Sequence, residues 1–245
     1  MTGQRAPFIL AVAATAWCAA TPDAATIVGR SVEANDADWK AAPAYDYTER
    51  DRTAGGTRTY RVMAIEGSPY QELLAVNGEP LPSQEQAQEQ QKLEQVVALR
   101  RAESAGDRAR RIERYEQDRK RDHLMMQELT RAMDFTLLGE RRIGGYGVYL
   151  LQATPRPGYR PPTIETEALT GMRGKLWIDE ETYQWVKVEA QVVRPVSIAG
   201  FLASVLPGTR FEVEMQPVNG GIWLPAHFAM KSKARILDSS EESMG

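Results

Sequence analysis

Residues 174–195, GKLWIDEETYQWVKVEAQVVRP, and residues 210–234, RFEVEMQPVNGGIWLPAHFAMKSKA, decide the fold, because each reads as an antiparallel β-hairpin. In the first, Val186, Val188, Ala190 and Val192 fall on one face, and Trp185, Lys187, Glu189 and Gln191 on the other. That is the period-two alternation of a sheet with one dry and one wet side. In the second, Phe211, Val213 and Met215 oppose Glu212, Glu214 and Gln216. Asn219-Gly220-Gly221 supplies turn residues that accept positive φ, and Ile222, Leu224, Ala226, Phe228 and Met230 continue the apolar face on the return.

Working outward, the chain of 245 residues is long enough for one large domain or two smaller ones, and 42% apolar residues suffice for a core. Thirty basic residues against 33 acidic ones give a net charge of -3. The whole-molecule basic footprint of a nucleic-acid binder is missing, so no nucleic-acid partner is expected.

Arg5 precedes an apolar run through Ala20, whose length fits the core of a secretory signal and is short for a bilayer span. Cleavage after Ala20 is expected, with Cys18 and Ala20 as the small recognised residues; the run ending in Ala24-Ala25 leaves a later cut open. The alternative is a lipid anchor through Cys18, against which Trp17 stands where that processing wants a small side chain. Cys18 is the sole cysteine, so a chain cut at Ala20 forms no disulfide. That cut also removes Arg5, leaving 29 basic and 33 acidic residues, a net charge of -4.

In the remainder, residues 26–40 read as a helix with Ile27, Val28 and Val32 on its apolar side, and 45–51, 57–66 and 70–76 as a three-stranded meander. Residues 83–133 turn rich in Gln, Glu, Arg and Lys, with apolar residues at helical spacing, which predicts one long helix or two broken near Gly106. Strands return at 135–143 and 146–153, and a Pro-rich loop, 154–163, leads to the hairpins. Residues 238–245 form a polar tail.

Catalytic chemistry fails on inventory. His123 and His227 lie apart, and neither sits in an H-E-x-x-H setting, so no metal or other cofactor is expected. No serine occupies a G-x-S-x-G elbow, Gly144-Gly145-Tyr146-Gly147 lacks the spacing of a dinucleotide loop, and Glu180 and Glu181 are turn residues. The expectation is a protein that is not an enzyme. Between Arg100 and Arg121, nine basic residues face five acidic ones. Such a helix either meets anionic headgroups or an acidic partner at a membrane periphery, or is a solvated helix held by its own i,i+4 pairs such as Glu116 with Lys120.

The order of helix, strands, helical insertion and further antiparallel strands, with an export signal and the Leu176-Trp177-Ile178-Asp179 strand end followed by residues 180–189, resembles the outer-membrane lipoprotein-sorting proteins, the LolA and LolB group of periplasmic carriers. The resemblance spans residues 27–236. It implies a single α+β domain over residues 21–237, a curved antiparallel sheet or incomplete β-barrel with helices on the concave side and a long helical insertion at 83–133. It also implies a periplasmic location and a non-enzymatic carrier or binder of lipid or lipoprotein acyl chains. The charged insertion and the polar tail depart from the carriers, which leaves open a protein-interaction or envelope-sensing module of the same fold, with an envelope protein as partner.

A lipid site needs a concave apolar surface. The strands offer Leu150, Val186, Val188, Phe211, Val213, Met215, Leu224, Phe228 and Met230, with methionine suited to a surface that adapts to different chains. The same residues fit an ordinary core. Residues 196–206, bounded by Pro195 and Pro207-Gly208, place Ile198, Phe201, Leu202, Val205 and Leu206 on one face of a short helix. That helix is either a lid at the mouth of the site or a crossover buried against the sheet.

Overall fold

The computed structural model describes residues 21–197 and 204–231, and the expected signal, the centre of the 196–206 segment and the polar tail lie outside them. The first element is the helix α1 (Ala24–Ala41), started by Asp23, whose carboxylate accepts from the Thr26 N–H at 2.7 Å. A four-stranded antiparallel meander follows: β1 (Tyr47–Thr53), β2 (Gly56–Ile65), β3 (Ser68–Val76) and the short β4 (Glu79–Pro80). Glu66-Gly67 and Asn77-Gly78 close its last two hairpins with positive φ at both residues, the mirror-image turn whose twist matches the strands it joins.

The charged insertion forms two helices, α2 (Ser83–Ala102) and α3 (Ala105–Ala132). The break falls at Glu103-Ser104, just ahead of Gly106, because the Ser104 hydroxyl caps α3 by accepting from the Asp107 N–H. Helix α2 buries none of its residues; the insertion is tied to the meander around the break between its two helices. Arg100 donates to the Ile65, Ser68 and Pro69 carbonyls at the β2–β3 turn. Arg111 pairs with Glu103 and donates to Ser68 Oγ and the Glu66 carbonyl.

A second antiparallel sheet contains β5 (Met133–Ile143), β6 (Tyr146–Pro155), β7 (Met172–Asp179), β8 (Trp185–Val192), β11 (Arg210–Pro217) and β12 (Trp223–Lys231), in the order β12-β11-β8-β7-β6-β5. A one-turn helix, α4 (Ile164–Glu167), interrupts the link from β6 to β7. The ribbon of β9 (Val196–Ser197) and β10 (Ser204–Val205) interrupts the link from β8 to β11. The α+β expectation therefore holds: antiparallel sheets with helices against them and, among the described residues, no closed barrel. The strands divide among a four-stranded sheet, a six-stranded sheet and the two-stranded ribbon.

Helices α1 and α3 cover one face of the six-stranded sheet. Ile27 and Val28 of α1 and Leu129 and Met125 of α3 meet Met133, Leu151, Ala153, Leu176 and Ile178. Burial of this face supplies the main stabilisation, at roughly 25 cal/mol per Å² of apolar area.

Two corrections to the strict alternation follow from β-bulges. An extra residue in β8 opposite the Trp177–Ile178 step pairs Ile178 with Trp185 and Trp177 with Lys187. Trp185 thereby joins the α1 side, where its Nε1 donates to Ser31 Oγ at 3.3 Å, and Val186 turns to the other face. A second bulge at Glu214–Met215 sends Met215 to that same other face, against Val186 and Trp223.

At its two described ends the helix expected over 196–206 is also corrected, and its centre lies outside the described residues. Its described ends are strands, Val196 opposite Val205 and Ser197 opposite Ser204. Val196 is buried between Met172, Ala168 and Val192, and seating a β-branched side chain there overrides the helical spacing.

Candidate functional site

Cross-strand register turns the apolar residues of the six-stranded sheet into two continuous rows on the helix-covered face. One runs Leu137, Leu151, Leu176, Val188, Val213, Phe228 across all six strands; the other runs Phe135, Ala153, Gly174, Ala190, Phe211, Met230. The helices cover the β6 and β7 end of these rows and leave the far end open. Leu151 is 0% exposed and Leu176 4%, whereas Met230 is 40% exposed and Phe228 62%. Val188, Phe211 and Val213 lie between, half-buried. The Phe211 and Phe228 rings stand 6.4 Å apart, tilted by 34°.

The open end is bordered by the β9–β10 ribbon. Val205 packs with Phe211 and Ala190 against Met172, Val192 and Val196, while Leu206 is exposed beside it. Seven of the sequence-derived candidates thus come together on or beside this face: Val188, Val205, Leu206, Phe211, Val213, Phe228 and Met230. Val186 and Met215 belong to the opposite face. Leu150 stands opposite Trp177 on that face too, and Leu224 sits half-buried opposite Gln216 near the hairpin turn. Ile198, Phe201 and Leu202 lie outside the described residues.

On the opposite face, Lys187 gathers three carboxylates: Glu212 at 3.1 Å, Glu189 at 3.2 Å and Glu214 at 3.7 Å. Burial alone would lower the Lys187 ammonium, yet Glu212 and Glu189 outweigh it and hold it above the usual lysine range.

At the C-terminal end of α1, Asp38 is buried and accepts from the Trp223 N–H, which ties the helix to β12. Burial raises this carboxyl above the ordinary range, and among the described residues its Oδ2 and the nearby Gln184 Oε1 find no hydrogen-bond partner. His123 is a buried packing residue: it stacks on Trp39 with centroids 4.4 Å apart, and Asp36 Oδ1 meets its Nε2 at 2.9 Å. His227 is exposed opposite Glu214. Hydrogen bonds from Lys40 and then His123 lower the Asp36 carboxyl.

The basic residues of the insertion are largely neutralised within the protein. Arg101 and Arg108 pair with Glu66, Arg110 with Asp107, Arg111 with Glu103, Arg119 with Glu116 and Arg121 with Asp118. The pairs within the helix are spaced i,i+3, and Glu116 takes Arg119 where the sequence suggested Lys120. Among the described residues, no helix is long and apolar enough to cross a membrane.

No family model and no curated protein matches this chain. Two solved structures are similar at 12% identity. One is a DUF1329 family protein from Desulfovibrio piger, with a TM-score of 0.26; the match covers 76% of this chain and 56% of that one. The other, from Vibrio parahaemolyticus, is described as an outer membrane lipoprotein-sorting protein domain, with a TM-score of 0.32 and coverage of 84% and 86%. The chain thus spans little more than half the length of the first. At these scores neither likeness bears on function.

Proposed function

We propose that this chain is a non-enzymatic, periplasmic binder or carrier of lipid or lipoprotein acyl chains, seated on the open end of the two apolar rows. The observation that carries the reading is the gradient along one row, from the fully buried Leu151 to the largely exposed Phe228. An apolar surface continuous with a core, left open at one end and rimmed by a short ribbon, offers an acyl chain a place to extend that core. Each methylene transferred from water there contributes about 0.8 kcal/mol. Half-buried Val188, Phe211 and Val213 form the floor, and Phe228 and Met230 the adaptable outer contacts.

Mass spectrometry of organic extracts from the purified chain tests this reading. Acyl-bearing molecules retained in stoichiometric amounts support it, and extracts free of them oppose it.

A second reading, an interaction module, draws support from β12. This nine-residue strand ends the sheet order, and a partner strand could pair with its outer edge. Pro225 and the adjacent bulge blunt part of that edge, which favours the acyl reading.

A further inference from the structure

The face of the six-stranded sheet turned away from α1 carries an open groove of about 380 Å³, and its floor is a charged lattice set by register. One row across four strands runs Arg173, Gln191, Arg210, Lys231. Arg210 and Lys231 are directly opposed on β11 and β12. Like charges at opposed positions destabilise a sheet, so this pair works against the fold unless an anion shares it.

The neighbouring row contains two carboxylates, Glu189 and Glu212, which could have neutralised these cations. Both instead bond Lys187 on their other side. Among the described residues, no carboxylate comes within ion-pair distance of Arg173, Arg210 or Lys231. Within the row, Arg173 Nη2 donates to Gln191 Oε1 at 3.2 Å, which leans one guanidinium toward the other. Arg173 and Arg210 stand two strands apart, about 10 Å at the backbone. Two such long side chains reach a common anion over Gln191 from either side.

We propose that this row is a binding site for a phosphate-bearing anion. Planar guanidinium groups match phosphate oxygens two at a time, and the Lys231 ammonium adds a point charge at the strand edge. The carboxylates that would repel phosphate are held back by Lys187. The site lies on the face opposite the apolar rows, so it stands whether or not those rows hold an acyl chain. The phosphate belongs either to a free ion or to the headgroup of an anionic phospholipid, and the test separates the two.

Thermal melts of the full chain in inorganic phosphate, against chloride at matched ionic strength, give the first arm. The parent melts higher in phosphate. Arg210→Gln melts higher than the parent in chloride, since the opposed charge is gone, and its phosphate increment is lost. Lys187→Gln frees Glu189 and Glu212 to neutralise the row, so its increment is lost too, whatever its absolute melting point. Either substitution weakens phosphate affinity by roughly tenfold or more.

Cosedimentation with phosphatidylglycerol vesicles, against phosphatidylcholine vesicles, gives the second arm. Arg210-dependent sedimentation without an increment from free phosphate assigns the anion to a lipid headgroup. An Arg210-dependent increment without sedimentation assigns it to free phosphate, and both together show a site that takes either. No response in either arm, or responses equal in the parent and Arg210→Gln, overturns the proposal.

Discussion

Leu151 and Phe228 lie in the same cross-strand row, four strands apart, yet one is completely buried and the other 62% exposed. Their difference predicts opposite responses to truncation. Leu151→Ala opens a cavity beneath α1 and lowers stability by about 2–5 kcal/mol. Phe228→Ala changes stability by less than about 1 kcal/mol, because most of its ring already faces water. Chemical denaturation of the two variants checks both halves.

The Asp38 carboxyl gives a pH dependence of definite sign. Burial raises its folded pKa above the unfolded value, so its contribution is fully present below about pH 4 and is lost as pH rises through the folded value. Asp38→Asn keeps an oxygen for the Trp223 N–H and adds a donor beside the unpartnered Gln184 Oε1. The variant is expected to be more stable than the parent at pH 7 by about 1–3 kcal/mol, with the difference vanishing in acid. Denaturation midpoints across that pH range measure it.

Two arginines of α3 separate a structural ion pair from a solvated one. Arg111 and Glu103 are each about one-fifth exposed, and the same guanidinium bonds Ser68 and Glu66. Arg121 and Asp118 are about half exposed. Arg111→Ala should cost about 1–3 kcal/mol by unpairing the anchor between the insertion and the meander. Arg121→Ala should stay within about 0.5 kcal/mol. Urea midpoints of the two variants decide it.

At the ribbon, Gly171 leaves no room for a side chain: a Cβ there would run into Val196 Cγ1 and lie 3.0 Å from the Arg194 carbonyl oxygen. Gly171 also accepts the Val193 and Arg194 N–H groups, so the backbone cannot simply shift away. Gly171→Ala is expected to destabilise by about 1–3 kcal/mol and to loosen the ribbon that borders the apolar face. Hydrogen exchange at the Val193 and Arg194 amides reports the loosening directly.

Much of this architecture is legible from residue patterns. Alternation located both C-terminal hairpins, Gly and Asn marked the turns, and apolar spacing located α1 and the insertion. The faces of Val186 and Met215 were not legible, because a bulge is defined by how many residues oppose one partner and leaves little trace in either strand alone. Residues 196–206 misled for a related reason: Ile198, Phe201, Leu202, Val205 and Leu206 satisfy helical spacing, and only the packing of Val196 against Met172 and Val192 selects a strand at the described end. The opposed Arg210 and Lys231 were hidden in the same way, since pairing them requires knowing where the Glu214–Met215 bulge falls.

Titration with a fluorescent fatty acid tests the acyl-binding reading most directly, using the parent and the double variant Phe228→Asp, Met230→Asp. Both residues are exposed, so the variant should retain the parent's melting temperature within a few degrees. The account predicts saturable binding by the parent and at least about a tenfold loss in the variant, since two charges now meet the acyl chain. Equal binding by the two proteins, or none by the parent, would contradict it.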